Sequence, residues 1–373
     1  MYIAKKARNF ILISLSFIFF LIYNSCDKNH DEADSYQPEV LNDGWPVSTA
    51  VDQGIDPVIL DDIYNDAKAL DNIFSLLVVK NGFLVAEKYF NGQSVYDASS
   101  IASVTKSVVS ALTGIAIEKK FISSTEQKLK EFFPEIDWDS TDPRKSNITI
   151  EQVLQMRSGY PWEEDCGLID TLRASSNWIH FLKDFELTSD PGTEFGYSNF
   201  TAHMMGIIIS RSADESLLSL LRSNLFNDMG ISVPIWPADA LGYYYGSGDI
   251  FMTPRSLAKF GQLYLDNGVW NNVQYIPSEW ISKSLQIYSP TTYGREILAH
   301  IHNLGYGYMW WSGTSGDHNI WFAWGHGGQL VVIISDLNMV VVSTASVPPA
   351  VDEEAWQKSK QIMEIVGRLI EQL

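Results

Sequence analysis

Apolar and polar positions along the chain change their rhythm from one region to the next. Ser75 to Val79 and Phe83 to Phe90 are apolar, β-branched runs, and the Lys80-Asn81-Gly82 between them carries the Asn-Gly signal of a tight hairpin. Ahead of them, residues 55–70 repeat apolar side chains at helical spacing behind Asp56-Pro57, with proline in the first turn. Val108, Leu112 and Ile115 recur at the same spacing, so a helix beginning near Ser103 buries one face. Residues 120–285 are mostly helical segments joined by polar loops. One opens at Thr149 to Leu154, another covers Ser198 to Arg211, and a third runs from Pro254 to Leu265 behind Thr253. Strands then return: Leu330 to Ile334 and Met339 to Thr344 flank Ser335 to Asn338 as a second hairpin. Asp352 to Leu373 closes the chain as an amphipathic helix whose acidic first turn suits the helix dipole.

Strands at both ends with helices inserted between them predict an α/β (α+β) fold. One antiparallel sheet is assembled from the two ends of the chain, with an α/β part over about 45–118 and 295–373. A mostly helical subdomain fills about 119–294. The cleft where the two parts meet is the natural place for a site. An apolar fraction of 46%, with 18 Phe, 17 Tyr and 12 Trp, is ample for such a core.

The N-terminus changes the picture. Lys5, Lys6 and Arg8 precede an apolar run of 14 residues, Phe10 to Tyr23, which is shorter than the roughly 20 that span a bilayer. It ends at Asn24-Ser25-Cys26. Residues 1–25 resemble a bacterial lipoprotein signal, although Tyr23 stands where leucine is usual; the alternative is an ordinary secretion signal with an incidental cysteine. The resemblance implies export, lipidation of Cys26 and a place in the cell envelope, with membrane contact through that anchor only. Residues 26–44 are acidic and polar and read as a flexible tether before a domain over 45–373. With Cys26 lipidated, Cys166 stands alone and no intramolecular disulfide forms. Loss of residues 1–25 would remove three cations and no acids, taking the net charge from −19 to −22. That balance excludes nucleic acid and electrostatic docking on anionic lipid as the expected partners.

Candidate chemistry centres on Ser103 and Lys106. Three residues apart at a helix start, they lie on one face and can touch. A serine hydroxyl is a feeble nucleophile until a base takes its proton, and lysine serves if desolvation lowers its proton affinity. Ser-x-x-Lys alone is weak: Ser256 and Lys259 match it too, and read as the surface of an amphipathic helix. Order and spacing strengthen the first pair. Tyr197-Ser198-Asn199 follows Ser103 by 94 residues, and His326-Gly327-Gly328 follows Tyr197 by 129, directly before a strand. Tyr89-Phe90-Asn91 and Lys80-Asn81-Gly82 imitate the later motifs but precede Ser103, so their order is wrong.

On these motifs the chain, from about Gly44 to Thr344, resembles the serine β-lactamase and penicillin-binding-protein superfamily, most nearly its class C and esterase-like branch. Flanking phrases agree, among them Met156-Arg157-Ser158-Gly159, Pro191-Gly192-Thr193, Phe260-Gly261-Gln262-Leu263 and Tyr306-Gly307-Tyr308. The resemblance implies that Ser103 forms an acyl-enzyme without metal or cofactor, with Lys106 and Tyr197 sharing the proton work. It implies that Asn199 bonds Lys106 or a substrate amide. The oxyanion hole is expected from the backbone N–H groups of Ser103 and of Gln329, the latter on an edge strand, with Gly327 and Gly328 letting substrate approach; a turn before the strand is the alternative for those glycines. His326 departs from the lysine of penicillin-processing members, so esters or small amides are favoured over substrates held by a carboxylate.

Other features are weaker. Trp162 and the acidic Glu163, Glu164 and Asp165 border the cleft or form a solvated loop, with an amine-binding role as the further option. Tyr243 to Tyr245 and Trp310-Trp311 belong to the cleft or to the core. His300-Ile301-His302 lacks the attendant ligands of a metal site. The expected function is a serine hydrolase acting on an ester, amide or lactam of a small molecule or peptide. A β-lactamase or a D-amino-acid peptidase or transpeptidase acting on wall peptides is the alternative, and a catalytically idle surface protein binding peptide or wall fragments is the rival from another class. Oligomeric state is not legible.

Overall fold

The computed structural model describes residues 36–350, except 165, 292–297 and 299, together with residues 352–373. The signal-like segment, Cys26, the first part of the tether and Asp165 lie outside these residues.

Among the described residues one antiparallel sheet of eight strands organises the molecule. Its strands are β1 (Ile73–Lys80), β2 (Phe83–Tyr89), β3 (Ser289–Pro290), β4 (His302–Tyr306), β5 (Trp311–Ser315), β6 (His318–Gly325), β7 (Gln329–Ile334) and β8 (Met339–Ala345). They lie in the order β2-β1-β8-β7-β6-β5-β4-β3, so the N-terminal hairpin is zipped onto the last strand. Both hairpins expected from turn chemistry form. Asn81 (φ 54°) and Gly82 (φ 80°) take the left-handed pair that a two-residue turn demands. Asn338 (φ 47°) closes the other turn, and the two turns touch through Asn81 N–H to Asn338 O at 2.9 Å.

Strands β7 and β8 are buried at every position, which requires cover on both faces. One cover is α1 (Pro57–Lys68), capped by the Asp56 carboxylate, with the C-terminal helix packed beside it. Between α1 and that helix in sequence come α2 (Thr105–Glu118), α3 (Ile150–Leu154), α4 (Asn199–Ala213) and α5 (Pro254–Leu265); the C-terminal helix is α6 (Glu353–Glu371). Helix α5 covers the other face. The expected helical part over 119–294 is therefore too long: α5 and β3 belong to the sheet. The reason is Gly261, where a Cβ would stand 2.7 Å from the Cγ1 atoms of both Val331 and Val340. Only a bare Cα lets the helix come so close. A Gly261→Ala variant should lose about 1–3 kcal/mol by overpacking, read as a lower urea midpoint with an unchanged slope.

The tether expectation fails over residues 36–44. Tyr36 stacks on Tyr64 with ring centroids 4.9 Å apart, and its carbonyl accepts from Glu87 N–H at 2.8 Å. The Asp43 carboxylate and Glu39 carbonyl accept from Arg255 at 2.8 and 2.7 Å. A buried guanidinium needs such acceptors, and acidic residues that look solvated in sequence supply them. Lys259 of the second Ser-x-x-Lys pair is likewise buried rather than at the surface. Its ammonium donates to the carbonyls of Asp43 and Met229 at 2.7 and 2.9 Å, so it ties loops to α5.

Candidate active site

Ser103 sits on a single 3-10 turn, Ala102–Val104, that runs into α2. The turn is held from two sides. A two-residue ladder pairs Ser99 and Ser100 with Met252 and Phe251, Ile101 N–H donates to Ile250 O at 2.8 Å, and Ala102 O accepts from Asp249 N–H at 3.3 Å. Behind it lies Gly325, where a Cβ would stand 2.5 Å from Ile101 O and 3.1 Å from Ala102 Cβ. Ala102 and Asp249 both adopt positive φ, 43° and 70°, a conformation costly for residues with a side chain. Such strain persists where surrounding contacts over-determine it, as at functional sites.

Lys106 follows one turn later and is almost wholly buried, at 1% exposure. Its ammonium has three protons and three acceptors: Ser103 Oγ at 2.9 Å, Asn199 Oδ1 at 2.8 Å and the Ser247 carbonyl at 2.6 Å. Burial pulls its pKa down to about 8, and the charges of Glu164, Glu163 and Asp249 restrain the fall. Tyr197 shares a hydrogen bond with Ser103, and its ring centroid lies 4.9 Å from Lys106 Nζ. Burial raises the phenol well above its ordinary pKa; the bond with Ser103 opposes this, while Glu164 and Glu163 add to it. Hydroxyl, amine and phenol, from segments far apart in the chain, thus meet at one point.

Helix α4 delivers Tyr197 and Asn199. Its cap is Ser198, whose hydroxyl accepts from Thr201 N–H at 3.0 Å, so Asn199 is the first helical residue rather than the cap. Glu163, expected in a solvated loop, is fully buried under this start. It accepts from Ser198 Oγ at 2.5 Å, Asn199 N–H at 2.9 Å and Phe200 N–H at 3.1 Å, while burial raises its pKa and these bonds oppose the rise. Met156, at φ 54°, completes the seat: its carbonyl accepts from Gly196 N–H at 2.8 Å. The Asn199 carboxamide donates to Glu164 Oε1 at 3.0 Å.

The loop 245–250 forms the opposite wall, and of its residues only Tyr245 is a candidate from the sequence. His203 holds it from behind. Its Nδ1 accepts from Gly246 N–H at 3.3 Å, which leaves Nε2–H to donate to Asp239 at 3.1 Å, and burial lowers its pKa.

Ser103 lies where two hollows join. One, of about 360 Å³, is lined by Glu164, Arg173, Asn199, Tyr245, Asp249 and His326 among others. The other, of about 30 Å³, is walled by Tyr197, Trp311, Trp324, His326 and Trp356. Of the aromatic candidates, Tyr245 and Trp311 reach the cleft; Trp310 is core, stacked on Phe260 at 6.1 Å. Trp356 comes from α6 and packs edge-on against His326 at 5.1 Å. His326 Nε2 donates to Ala350 O at 3.0 Å. His300 pairs instead with Glu371 at 2.9 Å.

The expected glycine-lined approach needs correction. Residues 326–328 are the turn between β6 and β7, and both strands are interior rather than at an edge. A Cβ on Gly327 would lie 2.4 Å from Ser346 O, and one on Gly328 2.5 Å from Ile362 Cδ1, so these glycines, at φ 91° and 102°, seat the turn on its neighbours. Gln329 is fully buried, with its carboxamide donating to Ala345 O at 2.7 Å and accepting from Ala345 N–H at 3.0 Å. His326, not Gln329, is the residue of this segment that reaches the hollows beside Ser103.

Comparison with known proteins agrees with this architecture. Among curated proteins, the chain is 25% identical over 231 residues to a 6-aminohexanoate-dimer hydrolase of Paenarthrobacter ureafaciens, a match covering 57% of this chain and 56% of that protein. It is 29% identical over 153 residues to Protein flp of Staphylococcus aureus, covering 38% and 30%. The chain therefore spans about half the length of the first and under a third of the second. Among solved structures, the D-amino acid amidase of Ochrobactrum anthropi SV3 superposes with a TM-score of 0.65 at 17% identity, covering 85% of this chain and 99% of the other. The octameric penicillin-binding protein homologue of Pyrococcus abyssi gives 0.65 at 17% identity, with 84% and 77% covered. Identities this low bear on the fold alone. A family model described as Beta-lactamase matches residues 74–362, most of the chain and all three motif segments, and on that match the chain belongs to the Beta-lactamase family.

Proposed function

We propose that the protein is a serine hydrolase that cleaves an amide or ester of a small molecule or peptide through an acyl-enzyme on Ser103. The observation that carries this reading is the 2.9 Å contact between Lys106 Nζ and Ser103 Oγ, made by a lysine whose burial brings its pKa down to about 8. Once Lys106 has lost its proton it takes the one on Ser103 Oγ as that oxygen attacks the substrate carbonyl carbon. Backbone N–H groups of Ser103 and His326 stabilise the oxyanion; the close approach of Gly325 to Ala102 supports His326 as the second donor. The raised pKa of Tyr197 keeps its phenol protonated, so it serves as the acid that gives its proton to the leaving nitrogen or oxygen and regains one from Lys106. Water, activated by the same groups in reverse, then cleaves the acyl-enzyme.

Amides are favoured as substrates on two grounds. The similar curated protein is named a hydrolase of the 6-aminohexanoate dimer, and two such amino acids joined head to tail are joined by an amide. Tyr197 also stands beside the nucleophile, where a poor amine leaving group needs its proton.

A fluorophosphonate probe tests the reading. Wild type should label and Ser103→Ala should not, with the labelling rate rising through about pH 8 as Lys106 loses its proton. Labelling that survives Ser103→Ala would remove the nucleophile. A panel of primary amides, D-alanyl peptides, nitrophenyl esters and a chromogenic cephalosporin then ranks substrates.

A further inference from the structure

Two neighbouring carboxylates, Glu163 and Glu164, lie beneath the Tyr197–Asn199 segment, and they are spent differently. Glu163 is consumed by Ser198 Oγ and the first N–H groups of α4. Glu164 is half-buried, lines both hollows beside Ser103, and accepts from Asn199 Nδ2 at 3.0 Å. The other end of that carboxamide, Oδ1, accepts from Lys106 Nζ at 2.8 Å. A carboxylate only accepts and an ammonium only donates, so these two neighbours decide which way the Asn199 amide faces. The chain Glu164, Asn199, Lys106, Ser103 is thus continuous, and each link has one permitted polarity while the end groups are charged.

We propose that Glu164 is a positioning residue for the reaction at Ser103: it orients Asn199 onto Lys106, and its charge sets the pH at which Lys106 becomes free to accept the serine proton. The proposal rests on the reading of Ser103 as nucleophile. The charges that act on Lys106 are Glu164, Glu163 and Asp249, the first two adjacent in one loop and the third in the loop on the opposite wall. Tyr197 faces it through its ring and the Ser247 carbonyl from the far side. Arg173 also lines the larger hollow, 3.6 Å from Asp170. Of the three anions, Glu164 alone is tied to the ammonium through a shared side chain.

The sign follows from charge. A nearby anion favours the ammonium over the neutral amine, so the anion delays deprotonation as pH rises. Glu164→Gln removes the charge and keeps an oxygen that accepts from Asn199. Its acid limb should therefore move to lower pH. Glu164→Ala removes the acceptor as well, so its plateau should also fall as Asn199 turns away from Lys106.

The second-order rate constant of fluorophosphonate labelling, measured on the full chain from pH 5.5 to 10, reads both effects. A downward shift of about half a pH unit makes the Glu164→Gln variant about three-fold faster on the acid side relative to its own plateau. Thermal denaturation of both variants reports whether each is folded. An acid limb in folded Glu164→Gln that stays at the wild-type pH, or moves up, overturns the proposal, as does a Glu164→Ala variant indistinguishable from wild type. A wild type that does not label at all overturns the nucleophile assignment itself, which is a different result from a limb that fails to move.

Discussion

Lys106→Met is expected to slow fluorophosphonate labelling of Ser103 about a thousand-fold at pH 8.5, within the range that a positioned base contributes. Methionine matches the length and volume of the buried stem but cannot hold a proton. The substitution leaves Asn199 Oδ1 and the Ser247 carbonyl without the donor they share, at a cost of about 1–3 kcal/mol for each unpaired group. It also relieves the cost of burying a cation at 1% exposure, so the net change in stability should be small. Activity and folding are therefore separable in this variant. Labelling within ten-fold of wild type, in a protein that unfolds at the wild-type denaturant concentration, would show that the proton leaves Ser103 by another route.

Arg255→Met should have the largest effect on stability, about 3–5 kcal/mol, because it leaves a buried carboxylate without its cation. Arg255 and Glu87 are each 4% exposed and bonded through two pairs of atoms, one of them Nε to Oε2 at 2.8 Å. The same guanidinium reaches Asp43 and Glu39, so residues 36–44 should become susceptible to proteolysis as the variant destabilises. Glu87→Gln in the Arg255→Met background removes the orphaned charge and should restore most of the loss. If the double variant is no more stable than Arg255→Met alone, desolvated Glu87 is not the cause.

What the sequence makes legible here is what local rules govern. The two hairpins follow from turn residues with positive φ, the helices from apolar period and caps, and the Ser103–Lys106 contact from a three-residue spacing. What depends on residues distant in the chain stays hidden. Ser247 contributes only a carbonyl, which any residue supplies; the Gly-Ser-Gly run around it was the available signal. Glu163 looks like part of a solvated acidic loop because its partners lie 35 to 37 residues away. Trp356 is legible as helical, yet nothing in the helix period says that it faces the nucleophile. The second oxyanion donor is hard to read from sequence for a related reason. A tight turn hides which of its residues faces the cleft, and only the pairing of Gly325 with Gln329 reveals that Gln329 points into the sheet.

An acyl-enzyme built from a hydroxyl always runs a risk of self-poisoning when an amine stands beside it. The neutral amine is the stronger nucleophile, and an amide formed on it would be a dead end that water does not readily reverse. In this protein the amine lines neither hollow, enclosed by Asn199, Ser247 and the Tyr197 ring, while the hydroxyl opens onto both. An arriving electrophile therefore meets oxygen first, and the enclosure that lowers the lysine's hold on its proton, freeing it to act as a base, also shields it from capture.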